Sequence, residues 1–91
     1  MNISKNYKFY CEQENHISEC AYSNAKIRLK CFTSLKKDVA EYVKMNSSKI
    51  KKTGNTTSFD SLLNRLNTSI KNNQLILDRV KDNVRKALKN S

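Results

Sequence analysis

The fold is decided by residues 58–89, which read SFDSLLNRLNTSIKNNQLILDRVKDNVRKALK. Seam positions recur here at alternating spacings of four and three, the pattern of a helix that packs lengthwise on another helix. This seam consists of Phe59, Leu63, Leu66, Ile70, Asn73, Leu77, Val80, Val84 and Ala87. Asn73 is its one polar member, and a single Asn in a seam commonly fixes helix register or number. The segment predicts a helix of about 48 Å, at ~1.5 Å per residue.

A second, less regular stripe lies in the first half of the chain. Helical spacing connects Ala21, Ala25, Arg28, Phe32, Leu35, Val39, Tyr42 and Asn46. In an antiparallel hairpin the numbers of facing residues have a constant sum. Phe32 with Leu77 gives 109 and Leu35 with Asn73 gives 108, so the symmetry centre falls at Gly54 and its neighbour.

Local signals predict a turn at residues 53–57, the same place. Gly54 suits the left-handed position just past a helix C-terminus. Basic residues before it favour the negative end of a helix dipole, and they are Lys49, Lys51 and Lys52. Thr57 is then the expected N-cap of the second helix, with Asp60 in a capping-box position.

These signals predict an all-α fold, an antiparallel two-helix hairpin that resembles a coiled coil. The hairpin is expected over residues 15–91, with helix one at about 15–52 and helix two at about 58–89. Asn15 is the expected N-cap of helix one, and residues 1–14 are expected to form a tail or a short helix. Both stripes are wider than one neighbouring helix can cover. We therefore expect a partner, or a second copy of the chain, to complete a bundle.

Composition narrows the possible classes of protein. The chain has 91 residues, one Gly and no Pro, which indicates one domain and disfavours an all-β fold with its many turns. No Gly-rich phosphate loop is present. No apolar stretch reaches membrane-spanning length, and the first residues lack a signal-peptide pattern. The expected location is therefore the cytoplasm.

Residues that could carry catalysis or bind metal are few. His16 and Cys20 lie one helical turn apart, but no Asp or Asn is placed to orient the imidazole. Zinc ligands could come from Cys11, His16, Cys20 and Cys31, although their spacing differs from that of compact zinc sites. Small apolar packing is the simpler role for these cysteines. We expect no enzymatic activity and no cofactor.

A net charge of +10 favours acidic partners. Phosphate contacts could come from Lys49, Lys51, Lys52, Arg65, Lys71, Arg79, Arg85 and Lys86. No aromatic residues interleave with them, as base stacking on a single strand would require. The alternative is that these side chains form the solvated face of a coiled coil. Nucleic-acid binding is therefore possible but not favoured.

The turn and the start of helix two, GNTTSFDSLL from Gly54 to Leu63, resemble the centre of the small Trp-x-Gly helical-hairpin proteins of type VII secretion. Gly54 matches the family Gly and Phe59 the aromatic residue that follows, while Lys52 stands at the Trp position. The resemblance implies a secretion partner or an effector-targeting chaperone that pairs with another helical hairpin. It also implies export without a signal peptide, with the partner carrying the export signal.

The sequence therefore predicts a non-enzymatic interaction or adaptor protein that presents its seams to a partner helix or to its own copy. The expected partner interface consists of Phe32, Leu35, Val39, Tyr42, Phe59, Leu63, Leu66, Ile70, Asn73, Leu77, Val80 and Val84. The alternative is a basic accessory subunit of a nucleoprotein or other large assembly.

Overall fold

The computed structural model describes residues 2–19 and 24–89, and every secondary-structure element in these ranges is a helix. The all-α prediction is confirmed. The helices are α1 (Ile3–Glu19), α2 (Ala25–Met45), α3 (Ser47–Lys52) and α4 (Thr56–Lys89).

Helices α2 and α4 run antiparallel. The Tyr42 and Phe59 rings lie 5.7 Å apart between centroids. About four turns of helix further along, the Arg28 Nε donates a hydrogen bond to the Asn73 Oδ1 at 3.0 Å. Both pairs of residue numbers sum to 101, as antiparallel pairing requires.

Helix α1 packs as a third helix, parallel to α4. Its Tyr7 ring lies 5.3 Å from Phe59, and its Glu14 pairs with Arg65 further along both helices. Buried residues at each end of α1, Ile3 and Ile17, join the core. The described residues therefore form a three-helix bundle, whereas the sequence predicts a two-helix hairpin.

Residues 3–14, which lie in the segment expected to be a tail or a short helix, belong to α1, and α1 continues to Glu19. Asn2 caps α1, since its Oδ1 accepts a hydrogen bond from the Lys5 amide at 3.2 Å. Asn15 lies inside α1, so its assignment as an N-cap is wrong.

The single helix predicted over residues 15–52 is divided. Asn24 begins α2, because its side chain accepts a hydrogen bond from the Lys26 amide at 2.9 Å. Asn46 ends α2, since its Nδ2 bonds to the Tyr42 carbonyl at 2.9 Å. Its own carbonyl accepts a hydrogen bond from the Ile50 amide at 2.9 Å and so opens α3. Cys20 and Ala21 lie outside the described residues.

The turn at Gly54 is confirmed. Gly54 has a φ of +72°, in the left-handed region that an L side chain rarely occupies. The Asn55 amide bonds to the Ile50 carbonyl at 3.0 Å and the Gly54 amide to the Lys51 carbonyl at 3.2 Å. These two bonds define a Schellman motif. Helix α4 begins at Thr56, one residue before the predicted cap Thr57.

The predicted register is wrong by about one heptad, because the observed sum is 101. Its centre falls within α3, so this short helix belongs to the connection between α2 and α4. The polar residues also favour the observed register. Asn73 meets Arg28 here, whereas the predicted register would place the buried amide opposite Leu35.

The core lies where all three long helices meet. Its most deeply buried side chains are Val39, Phe59, Leu62 and Leu66. Buried Ile50 of α3 joins the same cluster, which places the connection against the bundle.

Helix α4 is longer than the bundle beside it. Its 34 residues span about 51 Å at ~1.5 Å each, close to the 61 Å length of the molecule. The register places Ala25, the first residue of α2, opposite Ile76. We call residues 76–89 the α4 extension. Within residues 2–19 and 24–89, no helix combines the length and apolar character of a membrane span.

Candidate interaction surface

Most of the predicted partner interface lies inside the chain's own bundle. Six of its members are buried, namely Phe32, Leu35, Val39, Phe59, Leu66 and Asn73. Four more are partly buried, namely Tyr42, Leu63, Ile70 and Leu77. Only Val80 and Val84 of the predicted set are exposed. The prediction is therefore corrected for the buried members, because packing against α1, α2 and α4 already covers them.

The two exposed members belong to a continuous apolar surface on the α4 extension. Val80 and Val84 are each 53% exposed, and Ile76 is 43% exposed. At 100° per residue, Ile76, Leu77, Val80 and Val84 occupy one side of the helix. We call these four residues the extension stripe. It continues the seam that Leu66 and Asn73 occupy inside the bundle, past the residues where α2 provides a neighbour.

Charged residues cover the rest of the α4 extension. Helical geometry places Lys81 beside the extension stripe and places Arg79, Arg85 and Lys86 further round the helix. Asp78 lies seven residues before Arg85 on the same face, and Asp82 lies one turn before Lys86. Acidic and basic side chains are therefore mixed on the surface away from the stripe.

The remaining predicted phosphate contacts are distributed over three regions, namely α3, the middle of α4 and the α4 extension. Lys49, Lys51 and Lys52 are exposed on α3, and Lys71 is exposed on α4. Arg79, Arg85 and Lys86 lie on the α4 extension, at the other end of α4. The structure therefore does not bring the eight residues together into one patch.

Arg65 is engaged within the chain. Its Nε and Nη2 donate to the Glu14 carboxylate at 3.2–3.3 Å, and Nη2 also contacts the Cys11 Sγ at 3.7 Å. The hydrogen bond to Glu14 is the main cause of a raised pKa at Arg65. The Glu14 side chain is only 12% exposed, so Arg65 neutralises a carboxylate that faces the bundle.

Asn73, the polar seam residue expected to fix register, makes hydrogen bonds both to α2 and within α4. Its Oδ1 accepts from Arg28, and its Nδ2 donates to the Ser69 carbonyl at 2.7 Å. Both polar ends of this 6% exposed side chain are therefore satisfied.

The residues considered for catalysis or metal binding lie mainly between α1 and α2. His16 and Cys31 line a shallow cavity there, together with Tyr10 and Asp38. Burial is the main cause of a raised pKa at Tyr10. Cys11 and Cys31 are free thiols, and the proposed pairing of Cys20 with His16 falls outside the described residues. In the described ranges, no three His, Cys, Asp or Glu side chains cluster in a metal-binding arrangement.

An aromatic cluster that joins the helices was missed from the sequence. Tyr7 and Tyr42 both contact Phe59, Tyr10 contacts Tyr42 at 5.6 Å, and the Asn6 Nδ2 donates to the Tyr42 hydroxyl at 2.8 Å. A signal was present, since alternating spacings of four and three connect Ile3, Tyr7, Tyr10, Glu14 and Ile17.

Comparisons with protein-family models, with curated proteins and with solved structures give no match to this chain.

Proposed function

We propose that the protein is a non-enzymatic helical interaction protein, an adaptor that binds a partner helix through its α4 extension. One observation carries the proposal. The seam of α4 is covered by α1 and α2 as far as Asn73 and is exposed at Val80 and Val84. A helix laid along the extension stripe would bury these side chains as the bundle buries the earlier ones.

The more specific form of the proposal is a type VII secretion partner or effector-targeting chaperone. Its support is the resemblance at the turn, where Gly54 adopts a positive φ after a helix, and Phe59 follows as an aromatic residue. In this form the protein acts in the cytoplasm, and its partner carries the export signal.

The experiment is affinity purification from the source cells with three forms of the protein. Val80→Gln/Val84→Gln replaces the two most exposed apolar side chains of the stripe without changing charge or helix propensity greatly. Leu75→Gln is the matched control, since Leu75 is 47% exposed on the opposite side of α4. We expect at least one protein to co-purify with the wild type and the control and to be lost from the double variant. Identical sets of proteins from all three forms would contradict the proposal.

The alternative is a basic accessory subunit that contacts nucleic-acid phosphates. Its support is the exposure of Lys49, Lys51 and Lys52 on α3 and of Arg79, Arg85 and Lys86 on α4. Binding to generic DNA and RNA should then fall linearly with the logarithm of salt concentration. Charge-neutral Gln substitutions at these six positions should reduce that slope. No binding at low salt would eliminate this alternative.

A further inference from the structure

We infer that the partner helix of the α4 extension is the α4 extension of a second copy of the chain, laid against it in the antiparallel direction. This inference rests on the proposed function and names the partner. The dimer is symmetric, since each copy gives the same surface to the other. Three features of the extension support it, namely the spacing of its apolar residues, the ends of the neighbouring helices and the position of its charges.

The seam spacing lets the extension pair with itself. In an antiparallel pair the numbers of facing residues have a constant sum, and a sum of 164 places Val80 opposite Val84 and Leu77 opposite Ala87. Each of these pairs occurs twice across the symmetry axis, so the two extensions form four consecutive seam layers. All of these layers are apolar, which is the arrangement that holds helix pairs together.

Ile76 and Leu88 extend the contact on the two sides of the seam. At 100° per residue, the same sum places Ile76 beside Ala87 of the second copy and Leu88 beside its Leu77. Ile76 is 43% exposed and Leu88 is 72% exposed in a single chain. The pairing would therefore cover apolar side chains that one chain leaves in contact with water.

The ends of the neighbouring helices determine the direction. Helix α1 ends level with about residue 70 of α4, and α2 begins level with Ile76. A parallel copy in register would continue along the seam to Asn73 and Leu66, which the bundle already covers. An antiparallel copy avoids this overlap, because its α4 ends about level with Ile76. The carboxyl end of that helix then lies near the amino end of α2, a favourable arrangement of helix dipoles.

The charges permit this arrangement. The charged residue nearest the stripe, Lys81, would lie close to Lys81 of the second copy, where two exposed ammonium groups repel each other only weakly. On the other side of the seam Asn83 would lie close to its own symmetry mate, and two amides can donate to and accept from each other. The lysines of α3 would lie at the outer ends of a dimer about 100 Å long. Their mutual repulsion is screened, since the Debye length is about 8 Å at physiological salt.

Sedimentation equilibrium of the full chain tests the inference. An extension of about 20 Å gives a small interface, so we expect a reversible equilibrium between monomer and dimer with a Kd between about 10 μM and 1 mM. The dimer should tighten when the salt concentration rises, because salt screens the repulsion between the two Lys81 side chains. Binding to phosphates would weaken under the same change.

Three variants assign the dimer to the stripe. Val80→Gln/Val84→Gln should raise the Kd at least about tenfold, because it places four polar side chains in the seam of the dimer. Leu75→Gln is the matched control and should leave the Kd unchanged, since Leu75 lies on the opposite side of α4. Lys81→Gln should lower the Kd about twofold by removing one repulsive pair. Circular dichroism verifies that each variant retains the helix content of the wild type.

The shape and the register of the dimer are measured separately. Overlap along the extension alone gives a maximum dimension of about 100 Å in small-angle X-ray scattering, compared with 61 Å for one chain. Hairpins packed side by side would stay near the length of one chain. In a mixture of isotope-labelled and unlabelled chains, NMR should show contacts between the Val80 methyl groups of one copy and the Val84 methyl groups of the other.

The outcomes separate this inference from the proposed function. A chain that stays monomeric up to about 1 mM would overturn the inference, and so would a dimer that keeps the length of one chain or that survives in Val80→Gln/Val84→Gln. The proposed function would still stand if a different protein co-purifies with the wild type and is lost from the double variant. Both would be overturned if no binding, including binding to a second copy, depends on the stripe.

Discussion

The contact between Arg28 and Asn73 gives the most discriminating prediction about the fold. Asn73 is 6% exposed, so its Oδ1 depends on Arg28 Nε for a hydrogen bond. Arg28→Met keeps a long apolar side chain but leaves the amide oxygen unsatisfied. A lost hydrogen bond to a charged group costs about 1.5–3 kcal/mol, and the half-buried position of Arg28 reduces this to about 1–2 kcal/mol.

Asn73→Leu should behave differently, because it removes the group that needs a partner. We expect it to be neutral or stabilising, and the double variant should have nearly the stability of Asn73→Leu. The coupling free energy in this cycle is therefore expected to be about 1–2 kcal/mol.

The assay is urea denaturation followed by circular dichroism, with Lys30→Met as a control on an exposed basic residue of α2. For a domain of this size, each kcal/mol corresponds to about 4–8 °C in Tm. An Arg28→Met variant as stable as the control would refute the reasoning, as would a coupling below about 0.5 kcal/mol. Asn73→Leu should also permit the register with Leu35 opposite position 73, visible as a second set of amide signals by NMR.

Three further predictions concern the turn, the ion pair and a partly buried phenol. Gly54→Ala should lower the free energy of unfolding by about 1 kcal/mol, because φ is +72°; no atom obstructs a Cβ there, so the backbone conformation alone accounts for the loss. Gly54→Asn should cost less in the same urea assay. Equal stability of all three forms would exclude strain at this turn. Arg65→Gln should lower the free energy of unfolding by about 1 kcal/mol, since it leaves the 12% exposed Glu14 carboxylate without its cation. Arg65→Lys should recover only part of this loss, and full recovery would show that the bidentate geometry contributes nothing. Burial raises the pKa of Tyr10, so the folded state holds the phenol proton more tightly than the unfolded state does, and the associated stability is lost as pH rises through the folded pKa. Ultraviolet titration should show a late tyrosinate step that Tyr10→Phe removes. A titration curve that Tyr10→Phe leaves unchanged would contradict the burial of this phenol.

The turn could be predicted because its determinants are local. One glycine in the chain follows a run of lysines, and left-handed geometry after a helix requires little else. The long C-terminal helix was predictable for a similar reason, since its seam repeats over several heptads.

The packing of α1 into the bundle and the register were missed because they depend on polar residues. The seam of α1 contains Tyr7, Tyr10 and Glu14, whose polar atoms conceal its periodicity. Glu14 fits beside the core only because Arg65 reaches it from another helix. The register likewise depends on a break at Asn46, which moves the centre of pairing into α3, and no count of apolar residues reveals that break.

The candidate surface was predicted in composition but not in location. The sequence predicted Val80 and Val84 as interface residues, together with ten others that the bundle uses for itself or partly covers. Separating the two groups requires knowledge of where α1 and α2 end relative to α4.

The length of α4 beyond its neighbours divides one helix into two dynamic regimes. Amides near Leu62 and Leu66 should exchange with deuterium only when the whole bundle unfolds, whereas those near Val84 can exchange by fraying from the C-terminus. The part of α4 inside the bundle already consists of formed helical turns. The α4 extension therefore only lengthens an existing helix and needs no separate nucleation step. A partner helix of the proposed kind would therefore meet a template that is largely ordered before contact, and its binding should slow exchange at the distal end of α4 more than anywhere else in the molecule.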